Sequence, residues 1–353
     1  MAPDRGLEDA VASLSLSSQD DASKNIPGLS NPQPNCETIP PHLSHDPATN
    51  AKQSDPFQFG QRYLSEQDDV FKYNAWDHVV PDAAHYEFCE AQYAAQREAP
   101  VSDFDRARFN DNPEKWWDLF YKQKTSTFFK DRKWLVQEFP ILKQATKQDA
   151  GKQIILEVGA GAGNTAFPIL RMNENPQLKL FAVDFSKKAV ETMRNSKDFA
   201  DSNGIMAAET WDVAGESLPA GVEEGSVDIV IMIFVFSALN PKQWQQAVTN
   251  IQRVLKPGGE VLFRDYGRGD LAQVRFKAGR WMEDNFYVRG DGTRVYFFEK
   301  EELEGIWASG FDVLNLDVDR RLIVNRQRRI KMYRCWIQGR FRKKACSDED
   351  GAF

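Results

Sequence analysis

The apolar run Ile154-Ile155-Leu156 leads directly into Glu157-Val158-Gly159-Ala160-Gly161-Ala162-Gly163-Asn164, and Thr165-Ala166-Phe167 follow. This order predicts a buried strand, a glycine-rich turn and the first turn of a helix. Glycine at alternate positions lets the backbone bend tightly and lets a ligand lie against bare peptide, where a Cβ would clash. The spacing is GxGxG, with Asn164 standing where a dinucleotide fingerprint reserves its last glycine. Glycine turns also occur for purely structural reasons, so the loop constrains the fold before it says anything about a ligand.

Three later features add weight. Leu180-Phe181-Ala182-Val183 reads as a second strand ending in Asp184, whose carboxylate could accept hydrogen bonds from both hydroxyls of a ribose. Ala207-Ala208-Glu209-Thr210-Trp211 reads as a third strand ending in Asp212, placed to meet an adenine amino group. The run Ile229 to Phe236, a helix, Lys256-Pro257-Gly258-Gly259 and the strand Glu260 to Phe263 continue the pattern. Acidic residues at successive strand ends face the crevice at the carboxyl edge of an open parallel sheet, where such folds bind ligands. The set resembles an S-adenosylmethionine-dependent methyltransferase of the Rossmann-like class. That implies an α/β fold with a mostly parallel twisted sheet, helices on both faces and S-adenosylmethionine as cofactor.

Along the chain the composition is uneven. Residues 1–55 hold no Phe, Trp or Tyr, seven prolines, and eight acidic against three basic residues. Such a segment cannot bury enough apolar surface to offset its ordering entropy, so a disordered acidic tail is expected there, with residues 345–353 likewise disordered. Residues 56–145 form an aromatic, charged segment containing Trp76, Trp116, Trp117 and Trp134, expected to be a helical cap and a substrate-binding extension. Its rings either pack the cap on the sheet or close over a cofactor and a base. The methyltransferase domain is expected over 146–344, with an insertion at 265–300, a closing helix at about 301–308, a strand at 313–316 and a last strand at 332–338. The longest apolar stretch suits a central strand rather than a membrane span. Cys36, Cys89, Cys335 and Cys346 form no CxxC pair, which argues against a zinc ribbon and suits a reducing compartment.

Net charge is −7, of which the first 55 residues supply −5. Residues 320–344 carry eleven Lys or Arg and no acidic residue, interleaved with Tyr333, Trp336 and Phe341. A solvated face explains such a run; so does an electrostatic footprint for phosphates, and the aromatic alternation of Met332 to Gln338 favours the second.

The resemblance sharpens over Phe57-Gln58-Phe59-Gly60, Asn74-Ala75-Trp76-Asp77-His78, Trp117 to Tyr121, Phe128 to Arg132, Leu156-Glu157-Val158-Gly159, Asp184-Phe185-Ser186, Ile233 to Ala238 and Phe263-Arg264-Asp265-Tyr266-Gly267. It continues through Asn285 to Arg289, Asp291 to Arg294 and Asn325-Arg326-Gln327. Together these resemble the tRNA 3-methylcytidine methyltransferase family, the Phe57–His78 block most closely its threonine-tRNA branch. One departure is Ala160, where relatives commonly carry Cys. The resemblance implies methylation of N3 of cytidine 32 in the anticodon loop. It implies a cofactor site of Trp117, Tyr121, Gly159, Asp184, Asp212, Val213 and Ile233, to which the glycine loop adds Gly161 and Gly163. The implied partner is the tRNA anticodon stem-loop. Relatives often also need a partner protein, such as an aminoacyl-tRNA synthetase, or a neighbouring modified nucleotide. No membrane and no metal are implied, and the location is cytoplasmic.

The chemistry suits the residues. His42, His45, His78 and His85 all precede the glycine loop, so the sheet offers no imidazole base. Cytosine N3 needs none, since its in-plane lone pair attacks the sulfonium methyl without losing a proton; alignment and a favourable environment for the arriving charge remain. Asp265 is the candidate to hold cytosine N4, though it could instead pair with Arg264 or Arg268. Tyr266 and Phe286 are candidates to stack on a flipped base, or plain core aromatics. Lys130, Arg132, Arg275, Lys277, Arg289 and Arg294, with Arg326, Arg328, Arg329 and Lys331, are candidates for RNA phosphates. Two rivals stay open: a small-molecule or protein methyltransferase, and a catalytically silent RNA-binding scaffold.

Overall fold

The computed structural model describes residues 62–124, 128–132 and 134–345. The expected tail at 1–55, the stretch Phe57 to Gly60 and the chain from 346 onward lie outside them. Eight strands form the main sheet: β1 (Ala75–Asp77), β2 (Gln153–Val158), β3 (Leu178–Asp184), β4 (Met206–Thr210), β5 (Val227–Ile233), β6 (Leu255–Tyr266), β10 (Phe311–Asn325) and β11 (Ile330–Lys343). A small sheet holds β7 (Trp281–Glu283), β8 (Phe286–Val288) and β9 (Arg294–Tyr296). The main order is β1-β10-β11-β6-β5-β2-β3-β4. From β6 to β4 every neighbouring pair is parallel, while β11, β10 and β1 add antiparallel. The chain leaves β2 toward β3 and β4, then returns to β5 on the other side. That reversal leaves a crevice at the carboxyl ends of β2 and β5, where such sheets bind ligands.

Alternation along the strands sorts the core into two faces. Ile155, Ile229, Ile231 and Leu262 face one way and pack under the helices Pro140–Ala145, Ala166–Arg171 and Lys187–Arg194. Leu156, Val158, Val230, Met232, Val261 and Phe263 face the other and meet the helices Trp244–Val254 and Lys300–Ala308. The expected mostly parallel sheet with helices on both faces is therefore present.

Four expectations need revision. The strand expected through Phe236 stops at Ile233, because Phe234 turns to φ 58°. The strands expected at 313–316 and 332–338 are the ends of one long hairpin, β10 with β11. Pairing with β6 reaches Trp336↔Tyr266, so Ile330–Cys335 and their partners Arg320–Asn325 run past the carboxyl edge, by roughly 20 Å at strand rise. β1, from the segment expected to be a separate cap, pairs with that overhang at Arg321–Ile323. The cap is also stitched to the insertion: the Gln96 amide donates to the Gln273 and Phe276 carbonyls and accepts from the Tyr287 hydroxyl. The boundary expected near 145 therefore does not separate two cores.

The fourth revision concerns the basic run. Arg321 pairs with Asp77, Arg334 with Asp270, and Arg340 and Arg342 with Glu260. Lys343 and Lys344 donate to the Leu255 and Ala308 carbonyls. Much of the expected footprint is thus internal ion pairing. Arg326, Arg328 and Arg329 remain exposed at the tip of the overhang, with Lys331 half-buried beside them.

Candidate cofactor and acceptor site

The crevice holds a cavity whose space, counting its open mouth, is about 930 Å³. Gly159 and Gly161 line it, and both adopt left-handed φ, 68° and 58°. Bare peptide at these positions serves the protein itself. A Cβ on Gly159 would enter the Val235 side chain, and one on Gly161 would meet the Tyr121 hydroxyl. Gly163 stands apart from the cavity, with the Phe167 ring filling its Cβ direction. Its place in the expected cofactor set is corrected to that of a turn residue.

Asp184 ends β3 on the cavity wall, buried. Its Oδ2 accepts from the Gly161 N–H and its Oδ1 from the Ser186 N–H, both at 2.8 Å. Each oxygen keeps lone-pair capacity for one more donor, as a vicinal diol requires. Burial pushes the Asp184 carboxyl up to about 6, against the pull of those two amides. Asp212 lies two residues beyond β4 on the same wall, between Trp211 and Val213, and its Oδ1 accepts from the Ala214 N–H. Trp117 and Tyr121 come from the helix Pro113–Lys124 and close the opposite side with rings stacked 6.2 Å apart. The helix is tied down where Asp118 Oδ1 accepts from the Ser186 hydroxyl and the Lys188 N–H.

Two arginines expected at RNA phosphates lie in this cavity instead. Arg132 donates to the Thr165 hydroxyl at 2.6 Å, and burial holds its guanidinium below its usual value. Arg294 is buried, bonded to Asn110 Oδ1 and the Ala238 carbonyl, and burial lowers it to about 10. An adenosyl amino acid carries a diol, an exocyclic amine, a ring and a carboxylate. Asp184, Asp212, the Trp117–Tyr121 pair and Arg132 are the complementary groups, so the residues present could hold S-adenosylmethionine. Glu157, fully buried below the loop and pushed up to about 7 by burial, has one oxygen without a partner.

At the mouth of β5 and β6 the acceptor candidates are rearranged. Asp265 is wholly buried within β6 and off the cavity surface. Its Oδ2 accepts from the Ser237 N–H at 2.9 Å and its Oδ1 from the Tyr266 N–H at 2.8 Å. Neither expected alternative partner takes it: Arg264 bonds Asp319 and Gln338, while Arg268 bonds Glu90 and Glu299. The expectation that Asp265 reaches a base directly is corrected to a carboxylate that fixes the Ser237 turn and the Tyr266 backbone. Tyr266 packs its ring 4.9 Å from that of Phe234, which does line the cavity. The Arg289 guanidinium lies 5.7 Å over Tyr266 and donates to the Arg294 carbonyl. Phe286 is wholly buried in the core, which removes it as a stacking candidate. Lys130, Arg275 and Lys277 are exposed. Of the described histidines, neither His78 nor His85 lines the cavity.

A family model described as a methyltransferase domain matches residues 156–261. Over the wider chain, similarity extends to named enzymes. A Schizosaccharomyces pombe protein named tRNA N(3)-methylcytidine methyltransferase trm140 is 48% identical over 81% of this chain and 92% of its own length. A Drosophila melanogaster protein, tRNA N(3)-methylcytidine methyltransferase Mettl2, is 46% identical over 82% of this chain and 89% of its own. The chain belongs to the tRNA N3-methylcytidine methyltransferase family. It is accordingly an S-adenosylmethionine-dependent methyltransferase. A Saccharomyces cerevisiae member, tRNA(Thr) (cytosine(32)-N(3))-methyltransferase, is 52% identical over 81% of this chain, which spans about half (46%) of that protein.

Several cavity residues of this methyltransferase escaped the sequence reading: Trp211, Gln243, Phe129 and Phe234. Phe234 had a signal that periodicity hides. It sits inside an unbroken apolar run, and only the backbone reversal, a cost of roughly 1–3 kcal/mol for a non-glycine residue, separates it from a strand position.

Proposed function

We propose that this methyltransferase transfers the methyl group of S-adenosylmethionine to N3 of cytidine 32 in the anticodon loop of tRNA, threonine tRNA included. The observation that carries the reading is the one cavity in which the glycine loop, two strand-end acids and the cap's Trp117–Tyr121 pair meet an aromatic wall. Asp184 takes the ribose hydroxyls, Asp212 and Val213 the adenine, and Ile233 the floor beneath it. Arg132 holds the carboxylate end, and Trp117 and Tyr121 close over the whole. Tyr266 is held in place by Asp265 beside the acceptor. No imidazole is required, because N3 gives up no proton.

The overhanging hairpin is the proposed seat for the stem. Arg326, Arg328, Arg329 and Lys331 lie past the carboxyl edge, and they are the proposed phosphate contacts together with Lys130 and Arg289. Domain roles follow: residues 62–145 close and extend the site, and 146–344 carry it. Cys89 and Cys335 are buried free thiols, which suits a reducing cytoplasmic location. An accessory protein that presents the tRNA belongs to the same proposal.

The test is incubation of the purified full chain with S-adenosylmethionine and tRNA-Thr, followed by nuclease digestion and nucleoside mass spectrometry. 3-Methylcytidine at position 32 is expected. Cofactor binding with methylation only of proteins or small molecules would overturn the substrate. Absence of binding heat with S-adenosylmethionine would overturn the enzyme reading in favour of a scaffold.

A further inference from the structure

Five non-glycine residues among those described have left-handed φ: His78, Asn203, Phe234, Asn285 and Arg329. Asparagine tolerates that region; a phenylalanine seldom enters it. Phe234 is also the only one of the five that lines the cofactor cavity. Strain of this kind persists where the surroundings over-determine it, and such places cluster at sites that use the resulting geometry.

The surroundings of Phe234 do over-determine it. Its N–H donates to the Arg264 carbonyl at 2.8 Å. Val235, next in the chain, presses on the bare Cα of Gly159. Two residues on, the Ser237 N–H is held by Asp265. The consequence is a break in alternation. Ile229, Ile231 and Ile233 face one side of the sheet, so the next residue should face the other. Phe234 instead packs with the same cluster as Ile233, and Val235 packs with the opposite one. The reversed residue carries a ring to the cavity wall. There it joins a column of four groups: the Arg132 guanidinium lies 5.8 Å from Phe234, Tyr266 lies 4.9 Å from Phe234, and Arg289 lies 5.7 Å from Tyr266.

We propose that Phe234 is the aromatic wall of the acceptor subsite, the ring against which the flipped base rests while its N3 faces the methyl donor. This rests on the tRNA reading above and deepens it. A ring offers every base a π-face and makes no hydrogen-bond demand, which leaves selection of cytosine to its edge. In the transfer, the N3 lone pair forms the new N–C bond and the S–C bond breaks with its electrons remaining on sulfur, so the positive charge passes to the base without proton movement.

The experiment compares Phe234→Leu, Phe234→Tyr and Phe234→Gly in the full chain, reading S-adenosylmethionine affinity, thermal midpoint, and kcat and KM for tRNA. Phe234→Leu is expected to hold cofactor affinity within about twofold and to lose roughly 5- to 150-fold in kcat/KM for tRNA, the equivalent of one base–aromatic stack. Phe234→Tyr should restore most of that loss. Phe234→Gly relieves the backbone, so it should fold at least as stably while losing activity. Leucine with tRNA kinetics within twofold of wild type, or tyrosine no better than leucine, overturns the wall. If leucine fails to fold, the glycine and tyrosine variants decide on the same criteria. If wild type itself forms no 3-methylcytidine, the substrate reading falls and takes the wall with it; if wild type does and leucine matches it, only the wall falls.

Discussion

Asp184 must be ionised to accept from two hydroxyls, yet burial pushes it up to about 6. S-adenosylmethionine affinity should therefore weaken as pH falls through about 6, which calorimetry across pH 5 to 8 would read. Asp184→Asn should remove that pH step and weaken binding roughly 10- to 100-fold, the loss of charge-assisted hydrogen bonds. A pH step that survives in the variant would assign it to another group. The same shift has a stability sign. An acid whose folded value is raised binds more protons folded than unfolded, so its burial cost is absent below its ordinary value of 3.8 and complete above about 6. Glu157, raised to about 7, and Asp265, raised to about 6, act in the same direction. These three acids should make the chain lose stability as pH climbs from about 4 to 7, a slope that triple amide substitution flattens in thermal unfolding. Asp184 could be read at a strand end from spacing alone. Arg132 and Arg294 could not, because a sequence does not say whether a guanidinium faces phosphate or is walled into a cavity.

The cap helix Pro113–Lys124 is fastened at three places, and two of them are glycines. Tyr121 presses on Gly161, and Trp116 covers Gly292, which sits at φ 85° in the turn before β9. Gly292→Ala would put a methyl group into the indole at a backbone angle that alanine resists. The expected cost is about 1–3 kcal/mol for overpacking, with a further cost of about 1 kcal/mol for the angle. Because Trp117 and Tyr121 ride on the same helix, cofactor affinity should fall together with the thermal midpoint. A variant that loses midpoint alone would show the two ends of the helix to be independent. The parallel strands were legible because each is an apolar run closed by a turn. The hairpin β10–β11 was legible only at its ends, since its middle reads Asp317, Asp319, Arg320, Arg321. Asp319 meets buried Arg264, and Arg321 meets Asp77. Charges paired inside a sheet erase the hydrophobic alternation by which a strand is recognised.

Charge over the whole molecule follows the same logic. The eleven cations of residues 320–344 promised a broad phosphate-binding face, but those that meet Asp77, Asp270 and Glu260 hold strands together instead. The exposed remainder is gathered at the hairpin tip, where Arg329 lies 4.0 Å over the Phe71 ring and Arg326 donates to the Phe71 carbonyl. Both arginines stay exposed, and each phosphate neutralised by such a group releases counterions. Arg328→Glu with Arg329→Glu should therefore weaken tRNA binding and shrink the slope of log affinity against log salt by about 1.4–1.8, two contacts at about 0.7–0.9 each. Arg340→Glu with Arg342→Glu makes the same change in charge, but opposes two reversed groups to buried Glu260. That variant should lose thermal stability while the salt slope stays near wild type. Equal slopes in both double variants would mean that the tip touches no phosphate and that tRNA senses only net charge.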